Sequence, residues 1–112
     1  QLMKHESPVI NGKGDFSRDF TYIDNVIQMN ELAMLTDNPE AINTVYNTAV
    51  GDRTTLNDLT HYLKEFLSAY DEKIKDVEIL HGPERIGDIP HSLASIEKAQ
   101  KLLNYLPTHK IS

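Results

Sequence analysis

Gly12-Lys13-Gly14-Asp15-Phe16-Ser17-Arg18-Asp19-Phe20-Thr21-Tyr22-Ile23-Asp24-Asn25-Val26-Ile27 changes its periodicity half-way along, and that change sets the reading of the whole chain. The glycine-flanked opening reads as a turn. Residues 16–23, rich in aromatic and β-branched side chains, read as a short strand. From Ile23 onward the apolar residues recur at helical spacing, with Ile23, Val26, Ile27, Ala33 and Met34 on one stripe that is expected to face a core. Asp24 lies in the first turn, where a carboxylate favours the positive end of the helix dipole. Asp37-Asn38-Pro39 ends the helix, because the residue before a proline avoids the αR region.

Working outward, Pro8-Val9-Ile10 is a short extended run leading into the turn. On the other side, Val45-Tyr46-Asn47-Thr48-Ala49-Val50 reads as a strand ended by Gly51-Asp52. The clearest helix follows. Thr55 is its N-cap, and Leu56, Leu59, Leu63, Phe66, Leu67 and Tyr70 repeat at three and four residues. Leu59, Leu63, Phe66 and Leu67 are expected to be its buried face. Asp58 stands where a full capping box would carry Glu or Gln. Residues 77–80 read as another strand, and 81–90 as a polar loop holding Gly82, Pro83, Gly87 and Pro90. Ser95 is placed to cap a last short helix with Ile96, Ala99, Leu102 and Leu103 inward, ending near Asn104 and Pro107. The class is α/β, with short strands alternating with three helices, and the strands are too few for a complete doubly wound sheet.

The 112 residues suffice for one small domain with a modest core. Seventeen acidic against eleven basic side chains give a net charge of −6, which argues against a general nucleic-acid binder. No apolar run approaches the roughly 20 residues that span a bilayer, so no membrane partner is expected. The absence of cysteine excludes disulfides, thiol catalysis and Cys-ligated zinc, and fits a cytoplasmic setting. A start without Met and an end with no closing element suggest a piece of a larger protein.

Chemistry-bearing residues are few. His5, His61, His81, His91 and His109 have no metal-ligand spacing, so no metal site is expected; the bland reading is preferred for all five, with His61 solvated on the polar flank of its helix. Gly12-Lys13-Gly14 is a better tight turn than a phosphate cradle. No Tyr is followed four residues later by Lys, and no nucleophile elbow or P-loop occurs. The arginines are more informative. There are three, each near an aspartate: Arg18-Asp19, Asp52-Arg53 and Arg85-Ile86-Gly87-Asp88. Arginine offers a planar fork that suits phosphate, so scarce arginines beside turns hint at anion recognition. Equally, each could merely pair with its neighbouring carboxylate. From residue chemistry these two readings stand level.

Four blocks together resemble a known family. Residues 8–14 followed by Ser17-Arg18-Asp19-Phe20-Thr21-Tyr22-Ile23-Asp24-Asn25-Val26 resemble the "GdGxxxRDFxYvdDvv" segment of extended short-chain dehydrogenase/reductases that act on sugar nucleotides. Val45-Tyr46-Asn47-Thr48-Ala49-Val50-Gly51 is similar to their "vyNva.G" strand. Residues 85–92 and 96–107 look like their "RxGDvrHs" and "KA..lLgy.P" closure. The wording of residues 17–30 and 45–59 is most similar to bacterial UDP-N-acetylglucosamine (or UDP-glucose) 4-epimerases of O-antigen and capsule synthesis.

The resemblance implies that residues 1–112 are the C-terminal UDP-sugar-binding region of such an enzyme. The family's N-terminal Rossmann part, which binds NAD and carries the catalytic Ser/Thr and Tyr-x-x-x-Lys, is absent. No catalytic residue is therefore expected in this chain, and alone it is expected neither to bind NAD nor to epimerise a UDP-sugar. By the family pattern, Arg18 and Arg85 would hold the diphosphate, Asp88 would lie near the ribose or the arginine pair, and Asn11 would lie at the uracil end. Two departures, Lys13 in the Gly-x-Gly turn and Pro90 before His91-Ser92, bear on substrate preference. The implied parent is a homodimeric, NAD-dependent isomerase that oxidises sugar C4 to a ketone, turns the sugar and returns the hydride. A 4,6-dehydratase or decarboxylase of the same superfamily is the alternative, and a stand-alone, non-catalytic binding module is an alternative of another class. Apolar surface made for a missing half would favour self-association of the fragment.

Overall fold

The structure, a computed structural model, describes residues 1–111. Along the chain run β1 (Val9–Asn11), β2 (Ser17–Arg18), α1 (Ile23–Leu35), β3 (Thr54–Thr55), α2 (Leu56–Ser68), β4 (Leu80–Gly82) and α3 (Glu97–Leu103). Short 3-10 turns occupy Leu2–Lys4 and Glu72–Asp76. The order is the expected α/β alternation with three helices. The chain alternates between two compact units, residues 1–18 with 54–91 and residues 19–53 with 92–111.

In the first unit β1 and β4 pair in parallel, Val9 against Leu80 and Asn11 against Gly82. β2 and β3 pair antiparallel, Ser17 against Thr55 and Arg18 against Thr54. The expected strand over 77–80 is displaced toward the C-terminus, because the 3-10 turn at Glu72–Asp76 carries the chain as far as Val77. Thr55 caps α2 as its spacing predicts, its side chain accepting a hydrogen bond from the Asp58 amide at 3.1 Å. Leu2, Ile74 and Val77 form a small core against which Leu67 and Ile79 pack. The α2 face departs from expectation: no residue of this helix is fully buried, and Leu63 and Phe66 are exposed. His5 Nε2 lies 2.6 Å from Asp71 Oδ2. That bond, with one from the Lys73 amide, holds the Asp71 carboxyl below the usual range.

The second unit is built on α1 and α3. Its core joins Met29, Ala41, Ala49, Ile96, Ala99, Leu103 and Tyr105, with Leu32, Tyr46, Ala94 and Leu102 packed against them. Asn104, at φ 56, ends α3 in the left-handed conformation, and the Tyr105 amide turns back to the Ala99 carbonyl at 3.2 Å. The N-cap of α3 is Ile96 rather than the expected Ser95, and no side chain caps it.

Three further expectations change here. Most of the apolar stripe of α1 faces outward: Ile23, Ile27, Ala33 and Met34 are exposed and Val26 is half-buried, while Asn25 and Met29 point inward. The strand over 16–23 shrinks to Ser17–Arg18, the two residues that find a partner in Thr54–Thr55. Residues 45–50 form no strand at all. Three of their backbone groups pair with side chains: Lys98 Nζ donates to the Val45 carbonyl at 2.9 Å, Tyr105 Oη to the Ala49 carbonyl at 2.6 Å, and the Val50 amide donates to Asp19 Oδ1 at 3.0 Å. Side chains, not a neighbouring strand, are what these backbone groups meet.

Candidate functional site

The candidate site grows from β2. Its position between two neighbours is set by Ser17, which is 4% exposed. Ser17 pairs with Thr55 on one side. On the other it forms a parallel bridge with His91, its amide donating to the Pro90 carbonyl at 2.8 Å. Its hydroxyl lies 2.8 Å from His91 Nδ1, and its carbonyl accepts from Arg18 Nη1 at 2.8 Å. All the polar groups of this one residue are therefore engaged.

Arg18 extends from the end of β2 to the loop that follows β4. Its Nη2 lies 2.6 Å from Asp88 Oδ1. The same oxygen is 3.6 Å from Arg85 Nη2. The turn carrying both loop residues is closed by the Asp88 amide on the Arg85 carbonyl at 3.2 Å. The Asp88 side chain is 11% exposed, against 31% for Arg18 and 70% for Arg85. One shielded carboxylate thus bridges two guanidinium groups, leaving a net positive charge with one fork open to solvent. Such a cluster suits an anion with several oxygens, since each fork can give two parallel N–H bonds.

The structure thus brings together three of the sequence-predicted site residues, Arg18, Arg85 and Asp88. Asn11 is elsewhere on the unit: it ends β1, opposite Gly82. Among the described residues no hydrogen bond or ion pair joins it to the cluster. Simple pairing of each arginine with its adjacent aspartate holds only at Arg85 and Asp88. Asp19 instead accepts the amides of Val50 and Gly51, at 3.0 and 2.9 Å. Asp52 accepts the Arg53 amide rather than its guanidinium. Ser17 and His91 are the residues that sequence reasoning passed over. His91 is exposed, and its ring nonetheless bonds Ser17. A histidine directly following the Arg-to-Pro loop was the available signal.

The glycine turn is a structural device. Gly12 and Gly14 take φ of 83° and 78°, the left-handed region that favours glycine. A Cβ at Gly14 would lie 2.0 Å from Asn57 Oδ1. The start of α2 is closed: the Leu56 amide donates to the Phe16 carbonyl, the Asn57 amide to the Gly14 carbonyl, both at 3.0 Å, and Asp58 to Thr55. A dinucleotide pyrophosphate normally uses free amides at such a helix start after a glycine-rich turn. Here the amides of Leu56, Asn57 and Asp58 are engaged within the chain, so this turn does not offer that arrangement. Among the described residues no group of three or more His, Asp or Glu side chains is placed to hold a metal ion. No helix among them is long and apolar enough to cross a membrane.

No protein-family profile matches the chain. It is 28% identical over 102 residues to a Methanocaldococcus jannaschii protein named "Putative UDP-glucose 4-epimerase", covering 91% of this chain and 30% of that one. Among solved structures it is similar to the Thermotoga maritima UDP-glucose 4-epimerase bound to UDP-glucose, with 33% identity and a TM-score of 0.81. That match covers 98% of this chain and 32% of the other. This chain is similar to UDP-sugar 4-epimerases. The UDP-N-acetylglucosamine 4-epimerase of Methanobrevibacter ruminantium, in complex with UDP-N-acetylmuramic acid, matches at 34% identity and a TM-score of 0.80, over 95% of this chain and 31% of that one. The chain therefore spans about a third of the length of these relatives. Its fold matches the C-terminal portions of epimerases of the short-chain dehydrogenase/reductase type.

Proposed function

We propose that this chain is the nucleotide-sugar-binding part of an NAD-dependent UDP-sugar 4-epimerase, with Arg18 and Arg85 gripping the diphosphate. The observation that carries the reading is the shared Asp88 carboxylate between the two guanidinium groups. It holds Arg18 against β2 while Arg85 stays exposed. Asp88 orients the pair, and Asn11 is assigned the uracil end by the resemblance alone. Grip on the remote nucleotide would keep it fixed while the sugar turns between the two hydride transfers. The C4 chemistry and the NAD would belong to a part of the enzyme outside this chain, and the enzyme would be a homodimer of the cytoplasm.

UDP affinity tests the assignment in the full-length enzyme. A hydrogen bond to a charged group contributes about 1.5–3 kcal/mol, so Arg18→Ala and Arg85→Ala should each weaken UDP binding by roughly tenfold to a hundredfold. Arg→Lys at either position should recover only part of the loss, because the fork is gone. Arg53→Ala is the control, since Arg53 lies in the turn before β3 and no ion pair among the described residues joins it to Arg18, Arg85 or Asp88. If it weakens binding as much as the other two, a general loss of positive charge explains the result and the diphosphate assignment fails.

A further inference from the structure

We propose that Ser17 and His91 are positioning residues for the anion cluster, acting through the loop that carries Asp88. The inference rests on the UDP reading above and concerns how that site is held in shape. Residues 83–89 have little to anchor them. Ile86 and Ile89 are exposed, as are Pro83 and Glu84, so no apolar side chain pins the loop. Apart from the ion pairs of Asp88 with Arg18 and Arg85, it is held at its ends. At one end, Gly82 pairs with Asn11, and its carbonyl takes the Gly12 amide at 2.9 Å. At the other, Pro90 and His91 dock on Ser17 through the 2.8 Å amide-to-carbonyl bond and the 2.8 Å contact between Ser17 Oγ and His91 Nδ1.

Asp88 lies two residues before Pro90, so the second anchor sets where its carboxylate stands. Ser17 also fixes the other side of the pair, because its carbonyl holds Arg18 Nη1. One buried residue therefore sets both the guanidinium and the carboxylate that meet at 2.6 Å. The Ser17–His91 hydrogen bond is the side-chain part of this latch, and it works with either histidine tautomer, since a hydroxyl can donate or accept. Releasing it frees Asp88 to move, and Arg18 loses the partner that aims it. Neither Ser17 nor His91 touches the anion in this scheme.

Two readouts test the latch, using Ser17→Ala, His91→Leu and His91→Asn in the full-length enzyme. Asn places a polar nitrogen or oxygen near the position of Nδ1, whereas Leu keeps bulk without polarity. The first readout is UDP affinity by calorimetry. The second is hydrogen exchange of the Ser17 amide, which reports the docking of Pro90 whether or not UDP binds. Ser17→Ala and His91→Leu should weaken UDP binding roughly fivefold, the cost of one net hydrogen bond, and should speed exchange at Ser17. His91→Asn should restore both. Faster exchange with unchanged UDP affinity would overturn the positioning role, as would a His91→Asn variant no better than His91→Leu. If the unaltered enzyme binds no UDP, the functional reading falls by itself. Exchange at Ser17 then decides the latch: unchanged rates in His91→Leu would remove it.

Discussion

Tyr105 shows how much one side chain can fix. It is buried in the core of the second unit, and its hydroxyl donates to the Ala49 carbonyl at 2.6 Å. Burial, and then the charge of Asp19, push its phenol above the ordinary value of 10.0. A raised folded value favours the neutral form, so this contribution to stability is complete below about pH 10 and is lost as pH rises through the folded value. Tyr105→Phe should cost about 1–3 kcal/mol at neutral pH, because the Ala49 carbonyl loses its donor. It should also remove the part of the alkaline destabilisation that belongs to this phenol. Urea unfolding of both proteins at pH 7 and near pH 11 checks each half, and equal alkaline losses would assign the effect to other groups. Asn25 does comparable work at 0% exposure. Its amide donates to the His109 carbonyl at 2.8 Å and its Oδ1 accepts the Thr108 amide at 2.9 Å, clasping residues 108–109 to α1.

At the scale of elements, α2 is where local rules decide. The Thr55 hydroxyl supplies the acceptor that the Asp58 amide needs, so Thr55→Ala should lower stability by about 1 kcal/mol, while Thr55→Ser should be close to neutral. Chemical denaturation, with exchange at the Asp58 amide, separates loss of the cap from a general effect. This cap was legible because it depends only on residue types a few positions apart. So were the glycine turn, the extents of α1 and α2, the last helix up to Asn104, and the clustering of Arg18, Arg85 and Asp88 through the resemblance. What failed depended on distant partners. Residues 45–50 have strand composition, yet Lys98, Tyr105 and Asp19 pair with three of their backbone groups in place of a strand. The spacing of Ile23, Ile27 and Met34 gives the helical period correctly and the wrong side of the helix, since the packed side is chosen by Ala99, Leu103 and Tyr105 far along the chain. The contact between Ser17 and His91 was illegible for the same reason, its partners being 74 residues apart.

For the whole molecule the exposed apolar residues matter most. Ile23, Ile27 and Met34 on α1, and Leu63 and Phe66 on α2, stand in solvent. Apolar patches of more than a few hundred Å2 tend to find a partner, so this chain by itself should self-associate. Sedimentation velocity over a range of concentrations should show a rising mean mass. Leu63→Glu with Phe66→Glu should reduce it with little change in stability, because neither side chain is buried. A clean monomer at high concentration would count against the expectation. The parallel pairing of β1 with β4 also bears on how the molecule is made. Val9 leaves the ribosome ~70 residues ahead of Leu80, which at typical elongation rates of roughly 5–20 residues per second is a wait on the order of 4–14 seconds. Until then β1 is an unpaired edge of only three residues, too brief a template to recruit a neighbouring nascent chain. Shortness of this strand, a weakness in the finished sheet, is protection during synthesis.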